Sequence, residues 1–257
     1  MELVDTHCHL TFEPLVDDLE GVLQRSRAAS VTGWITVGVD IEDNKKAIAL
    51  SERFDNVYAA VGIHPHEAKT VTDETIAELK QLAGHRRVVA IGETGLDFHY
   101  NHSSAAEQCR IFARHLEIAR QLNLAVIIHS REAFDKTIEI LEQYGGGVRK
   151  VVFHCFSGSD EQAKIVLSHG YFVSFTGVVT FKNAEKTRRA AAAVPLERMM
   201  VETDSPYMSP EPVRKQKVNE PAFMIHTARF LAKMRNMEPE RFAEKVTQNS
   251  KDFFNIP

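Results

Sequence analysis

The sequence is poor in cysteine. Cys8, Cys109 and Cys155 are the three it has, and no two form a Cys-x-x-Cys pair. An odd number at scattered spacing argues against a disulfide framework and points to a reducing compartment. No apolar stretch approaches the roughly 18 residues that a membrane span requires. The N-terminus also lacks a basic segment leading into a short apolar run, so no secretory signal is expected and the chain is assigned to the cytoplasm. Positive charge is not in excess: the formal net charge is -4. That excludes a globally basic nucleic-acid coat but leaves a local basic patch open. There is no low-complexity segment and no Pro/Gly-rich linker, so residues 1–257 are read as one domain. A hydrophobic content of 44% over 257 residues is enough to bury a large core.

What the sequence does have is a rhythm. Short apolar runs recur as ELVDTH (2–7), GWITVGV (33–39), VYAAVGIH (57–64), VVAIGE (88–93), LAVIIH (124–129), KVVFHCF (150–156), YFVSF (171–175) and MMVETD (199–204). They do not alternate cleanly between apolar and polar, as expected of parallel strands covered on both faces. Helical patterns lie between them. Cys109, Phe112, Leu116 and Ala119 share one face over 105–122, and Phe134, Ile138 and Leu141 share one over 131–144. Two further helical stretches follow a polar, Pro-rich loop at 205–221, at about 222–236 and 239–253. Eight β-α units in a chain of this length predict an α/β fold of the (β/α)8 TIM-type barrel class. The alternative, a doubly wound open sheet, usually carries a glycine-rich phosphate turn after its first strand. Here the first strand runs into His7-Cys8-His9 instead.

In such a barrel the C-terminal strand ends share one site. The unusual polar residues fall there: His7 and His9 after the first run, then His64, Glu93, His129, His154, and finally Glu202 and Asp204. Residues i and i+2 of a strand point the same way, so His7 and His9 converge while Cys8 faces away. His7, His9, Glu93, His129, His154 and Asp204 make six potential ligands, too many for one tetrahedral zinc. They suit two ions sharing a carboxylate, with Glu93 as the bridge. Cys8 and Cys155 are expected in the core, facing the helices. Arg131 either holds a phosphate or caps a helix. Asp160 is expected to cap the sixth helix.

Taken together, V-D-T-H-C-H, G-I-H-P, I-G-E-T-G-L-D, H-x-R-E-A, H-C-F-S-G, T-F-K-N-A and V-E-T-D-S-P-Y resemble the TatD family of metal-dependent deoxyribonucleases, within the amidohydrolase-like barrels. The resemblance runs from residue 3 to about residue 221. It implies a divalent-metal-dependent phosphodiester hydrolase, a 3′–5′ exonuclease of single-stranded DNA with RNA as a second substrate, using metal-bound hydroxide. It places the family's metal residues on His7, His9, Glu93, His129, His154 and Asp204. One ion is assigned to His7, His9, Glu93 and Asp204, the other to Glu93, His129 and His154. Zinc, manganese, nickel, cobalt and magnesium are the candidate metals. Asp204 is the candidate general base, and Glu93 counts with it as catalytic. Glu202 is assigned to orienting a ligand, and His64 to substrate or a metal-bound water. Lys182, Arg214 and Lys217 are assigned to phosphate contacts. The loop after the last strand departs from the family pattern, because Lys215 stands where relatives often carry glycine. A monomer without an obligate protein partner is expected. The alternative activity is hydrolysis of another ester or an amide, such as removal of D-amino acids from tRNA.

Overall fold

The computed structural model describes residues 2–257. By their internal contacts the residues form two compact units: Val37–His154, and the rest of the chain on either side of it. The strands are β1 (Leu3–Cys8), β2 (Val31–Val37), β3 (Val57–Val61), β4 (Val88–Asp97), β5 (Ala125–Arg131), β6 (Val151–Phe153), β7 (Phe172–Phe175) and β8 (Met199–Val201). They follow one another along the sheet in sequence order, and every described ladder is parallel. Helices α1 (Leu19–Ala28), α2 (Ile41–Arg53), α3 (Asp73–Ala83), α4 (Ala105–Leu122), α5 (Phe134–Tyr144), α6 (Asp160–Ser168) and α7 (Glu185–Ala193) lie between consecutive strands. Helices α8 (Met224–Met234) and α9 (Pro239–Phe254) follow β8. No described helix is long and apolar enough to cross a membrane.

In the discontinuous unit, β1 pairs with β2 from Leu3↔Val31 to Cys8↔Thr36. On its other side, the Asp204 amide donates to the His7 carbonyl and the His9 amide to Ser205 O. The segment after β8 is thereby laid along the end of β1. Helix α9 turns Phe242, Val246 and Phe253 inward, all buried. In the other unit, α4 starts at a capping box in which Ser104 and Glu107 satisfy each other's amides. It ends at Asn123, which adopts the left-handed φ of 55°. Phe112, Leu116 and Ala119 are buried along its inner face, and Cys109 is half-buried. Helix α6 is capped by Ser159, whose hydroxyl accepts the Gln162 amide, not by Asp160. Asp160 occupies the first helical position.

His115 links α4 to the segment after β3. Its Nε2 accepts the Ile63 amide at 2.9 Å, which requires the tautomer with the proton on Nδ1, 2.7 Å from the Ile111 carbonyl. Burial pushes this imidazole down to about 4 from its ordinary 6.5, against a smaller opposing effect of the Ile111 bond. The unfolded chain therefore takes up a proton that the fold refuses. This contribution to stability is complete above pH 6.5 and is lost as pH falls toward 4, by about 3 kcal/mol in all. Urea titrations of His115→Gln and wild type across that range should show the variant's stability varying less with pH.

Candidate metal centre

Each unit carries its own group of imidazole and carboxylate side chains. In the discontinuous unit the group is His7, His9 and Asp204, whose ligand atoms all lie within 4.8 Å of one another. The strand periodicity that predicts convergence of His7 and His9 is realised: their Nε2 atoms are 3.3 Å apart. Asp204 Oδ1 lies 3.4 Å from His9 Nε2 and 3.7 Å from His7 Nε2. The chain reaches this position through a left-handed residue, since Asp204 has a φ of 54°. Phe12 stacks on the His9 ring at 4.7 Å and fixes its plane.

Behind this group lies a buried polar scaffold. Asp5 Oδ2 accepts the Thr203 hydroxyl at 2.5 Å, and Oδ1 accepts the Thr203 and His7 amides. Burial pushes the Asp5 carboxyl up to about 7, although the Thr203 bonds pull the other way. Glu202 is also buried. It accepts Ser174 Oγ at 2.6 Å, the Cys155 amide at 2.6 Å and Thr6 Oγ1 at 3.2 Å, so it braces β1, β7 and the loop at 155. Cys8 is buried, and its thiol donates to Ile35 O. Cys155 departs from the expected core position. Its φ of 43° takes it out of strand alternation, and it sits half-buried beside Thr176 Oγ1.

In the Val37–His154 unit the group is centred on Glu93. Its Oε1 lies 2.7 Å from His129 Nδ1, 2.7 Å from His154 Nε2 and 3.8 Å from His64 Nε2. Burial alone would raise this carboxyl; the surrounding His154, His64 and His129 rings outweigh it and hold Glu93 well below the usual carboxylate range. For His129 burial again opposes charge, and the hydrogen bonds to Asp97 and Glu93 raise its pKa. Donor atoms gathered this closely, from imidazoles and a carboxylate, fit a zinc-like or other first-row divalent ion, whose ligand distances are about 2.0–2.2 Å.

Glu93 does not end its strand, as the sequence suggested. β4 continues to Asp97, pairing Gly95 with His129. A side chain at Gly95 would strike the His129 carbonyl at 2.1 Å, and the residue's φ is 131°. The glycine is what lets the two strands approach beside the ligand. The extension brings in a residue that pattern reading missed. Asp97 Oδ2 lies 3.0 Å from His129 Nε2 and 3.1 Å from His66 Nε2, and Oδ1 accepts the His99 and Tyr100 amides. The buried carboxylate therefore holds His129 by the nitrogen that faces away from Glu93. The Asp in G-L-D, two residues beyond the T-G pair, was the available signal.

The assigned phosphate-binding residues Lys182, Arg214 and Lys217 are all exposed. The Arg214 guanidinium lies 3.3 Å from the centroid of the Phe181 ring. The helix that follows, α5, has Ala133 at its cap position and no side-chain cap, and the Arg131 guanidinium covers Tyr100 at 4.6 Å.

The model of the family described as "TatD related DNase" matches residues 4–255. The chain is 38% identical to the uncharacterized metal-dependent hydrolase YabD of Bacillus subtilis, covering 99% of both chains. It is 32% identical to the 3′-5′ ssDNA/RNA exonuclease TatD of Cronobacter sakazakii, over 98% of this chain and 97% of that one. Among solved structures, the TatD homologue YJJV of Escherichia coli K12 superposes with a TM-score of 0.92 at 32% identity, covering 99% of this chain and 98% of the other. The chain belongs to the TatD-related DNase family and is a metal-dependent hydrolase with the (β/α)8 barrel fold.

Proposed function

We propose that the chain binds two divalent ions and hydrolyses phosphodiester bonds at the 3′ end of single-stranded DNA, with RNA as a second substrate. The observation that carries this reading is the pair of imidazole–carboxylate groups, His7/His9/Asp204 and His64/Glu93/His129 with His154 beside it. The relative from Cronobacter sakazakii, a 3′-5′ ssDNA/RNA exonuclease, supplies the substrate class and the polarity. Bound divalent ions would lower the pKa of water toward neutrality and neutralise phosphate oxygens. The side chains do the rest. Asp204 Oδ1, partly open to solvent, takes the proton of the attacking water. His64, next to Glu93, orients the scissile phosphate. Asp5 and Glu202 hold the ends of β1 and β8 in place. Lys182, Arg214 and Lys217 bind phosphates further along the strand. The family model spans both compact units, which supports treating 1–257 as one catalytic domain. We place the enzyme in the cytoplasm as a monomer.

The test is incubation with labelled single-stranded DNA, and in parallel with D-aminoacyl-tRNA, after chelation and after add-back of zinc, manganese, nickel, cobalt or magnesium. Cutting from the 3′ end that disappears on chelation and returns with metal is the expected result. Unchanged cutting of a strand blocked at both ends would make the enzyme an endonuclease. Deacylation without any DNA cutting would move the activity to the aminoacyl ester.

Arg214→Ala should weaken strand binding alike for all sequences, with metal content unchanged. The log–log salt dependence should flatten by about one unit, the signature of one lost phosphate contact. Binding isotherms at several salt concentrations read this directly.

A further inference from the structure

Tyr100 lies on the turn between β4 and α4 with 51% of its surface exposed. A lone exposed aromatic needs no explanation, but this one is held in place from several sides. Asp97 Oδ1 accepts the amides of His99 and Tyr100 at 3.0 Å each. The Phe98 amide donates to the Arg131 carbonyl, and the Asn101 side chain donates to Phe98 O. The His99 ring is clamped to Glu132 at 2.7 Å. Around the Tyr100 ring, His102 lies parallel within 7° at 5.7 Å, and the exposed Arg131 guanidinium covers the ring at 4.6 Å. His99 and His66 meet it edge-on at 4.8 and 5.5 Å.

Resting on the nuclease reading, we infer that Tyr100, His102 and Arg131 form a stacking platform for an unpaired nucleobase of the single-stranded substrate. Flat rings beside a guanidinium are the means by which proteins hold single strands without reading their sequence. The planes accept any base, and the cation suits the adjoining phosphate. Glu132, just after β5, is held by His99 at 2.7 Å, while the Arg131 guanidinium lies over the ring itself. The platform is also fixed relative to the chemistry. The carboxylate that pins the Tyr100 amide through Oδ1 touches His129 through Oδ2. A base seated here stands on the turn that Asp97 ties to His129. A duplex, whose bases are already stacked, cannot use it.

The experiment measures binding of the full-length protein, in manganese, to a phosphorothioate-linked single strand that resists cutting. Tyr100→Ala should weaken binding about 5- to 150-fold, the loss expected for one stacked base. Tyr100→Trp should bind at least as well as wild type. Tyr144→Ala, a comparably exposed tyrosine at the far end of α5, should leave binding unchanged. With an abasic strand the Tyr100→Ala penalty should vanish, which a merely structural role for the tyrosine would not produce. Equal binding by Tyr100→Ala and wild type, with wild type cutting DNA normally, would overturn the platform alone. A penalty that persists on the abasic strand would overturn it too. A wild-type protein that neither binds nor cuts single strands would sink the nuclease reading and the platform with it.

Discussion

Asp204→Asn is expected to cut turnover of single-stranded DNA by about 10²–10⁴-fold, the usual worth of a positioned general base. The substitution is chosen for the backbone. Asp204 sits at a φ of 54°, and asparagine tolerates the left-handed region better than any other non-glycine side chain of that size. The bond from its amide to the His7 carbonyl survives the change. What disappears is the negative charge 3.4 Å from His9 Nε2, and with it the proton acceptor and one anionic donor of the group. Metal analysis should show weaker retention of one ion, while the Glu93 group keeps its own. Asp160→Asn is the matched comparison. Because Ser159 caps α6, Asp160 is a partly exposed first-turn residue with long contacts of 3.9 Å to Lys164 and 4.0 Å to Arg189. Neither turnover nor stability should move by more than about 0.5 kcal/mol there. Turnover near wild type in Asp204→Asn would remove that residue from the chemistry.

How far the sequence could be read depended on what kind of signal a residue leaves. Helix α4 spans Ala105–Leu122, the range its apolar period predicts, because a long periodic stretch between a capping serine and a left-handed asparagine has only one way to fold. Strands were found from their apolar runs, but their ends were not. The apolar run VVAIGE stops at Glu93, and only the ladder to β5 shows that the strand runs on to Asp97. His7 and His9 were legible because strand alternation is a local rule. Asp97 was not, because its role depends on His129, 32 positions away, and on a register that no local pattern encodes. Asp5 escaped in the same way, because nothing local distinguishes a carboxylate that binds an ion from one that accepts Thr203 behind it. The Tyr100 platform escaped for a further reason: a single exposed ring has no period at all.

Asp97→Asn should therefore have the second large effect, and on affinity before rate. Four donors converge on this carboxylate: the His99 and Tyr100 amides on Oδ1, and the His129 and His66 rings on Oδ2. A carboxylate has acceptors on both sides, whereas an amide has one acceptor oxygen and two N–H donors. Asparagine must turn its N–H groups either toward the two backbone amides or toward the two rings. In the second case His129 loses the acceptor that keeps a proton on Nε2 and leaves Nδ1, 2.7 Å from Glu93, with its electron pair for an ion. In the first case the turn carrying Tyr100 loosens instead. Loss of such a partner typically costs about 10–100-fold in metal affinity. Competition against a graded series of chelators should show that drop for one of two ions, the other staying on His7, His9 and Asp204. Gln108→Ala provides the contrast. Gln108 braces the same strand end by bonding the Asp97 amide and carbonyl, yet it touches neither ring. If Gln108→Ala lowers metal affinity as much as Asp97→Asn does, Asp97 acts only through the strand end. If Asp97→Asn binds both ions like wild type, His129 does not need its second carboxylate.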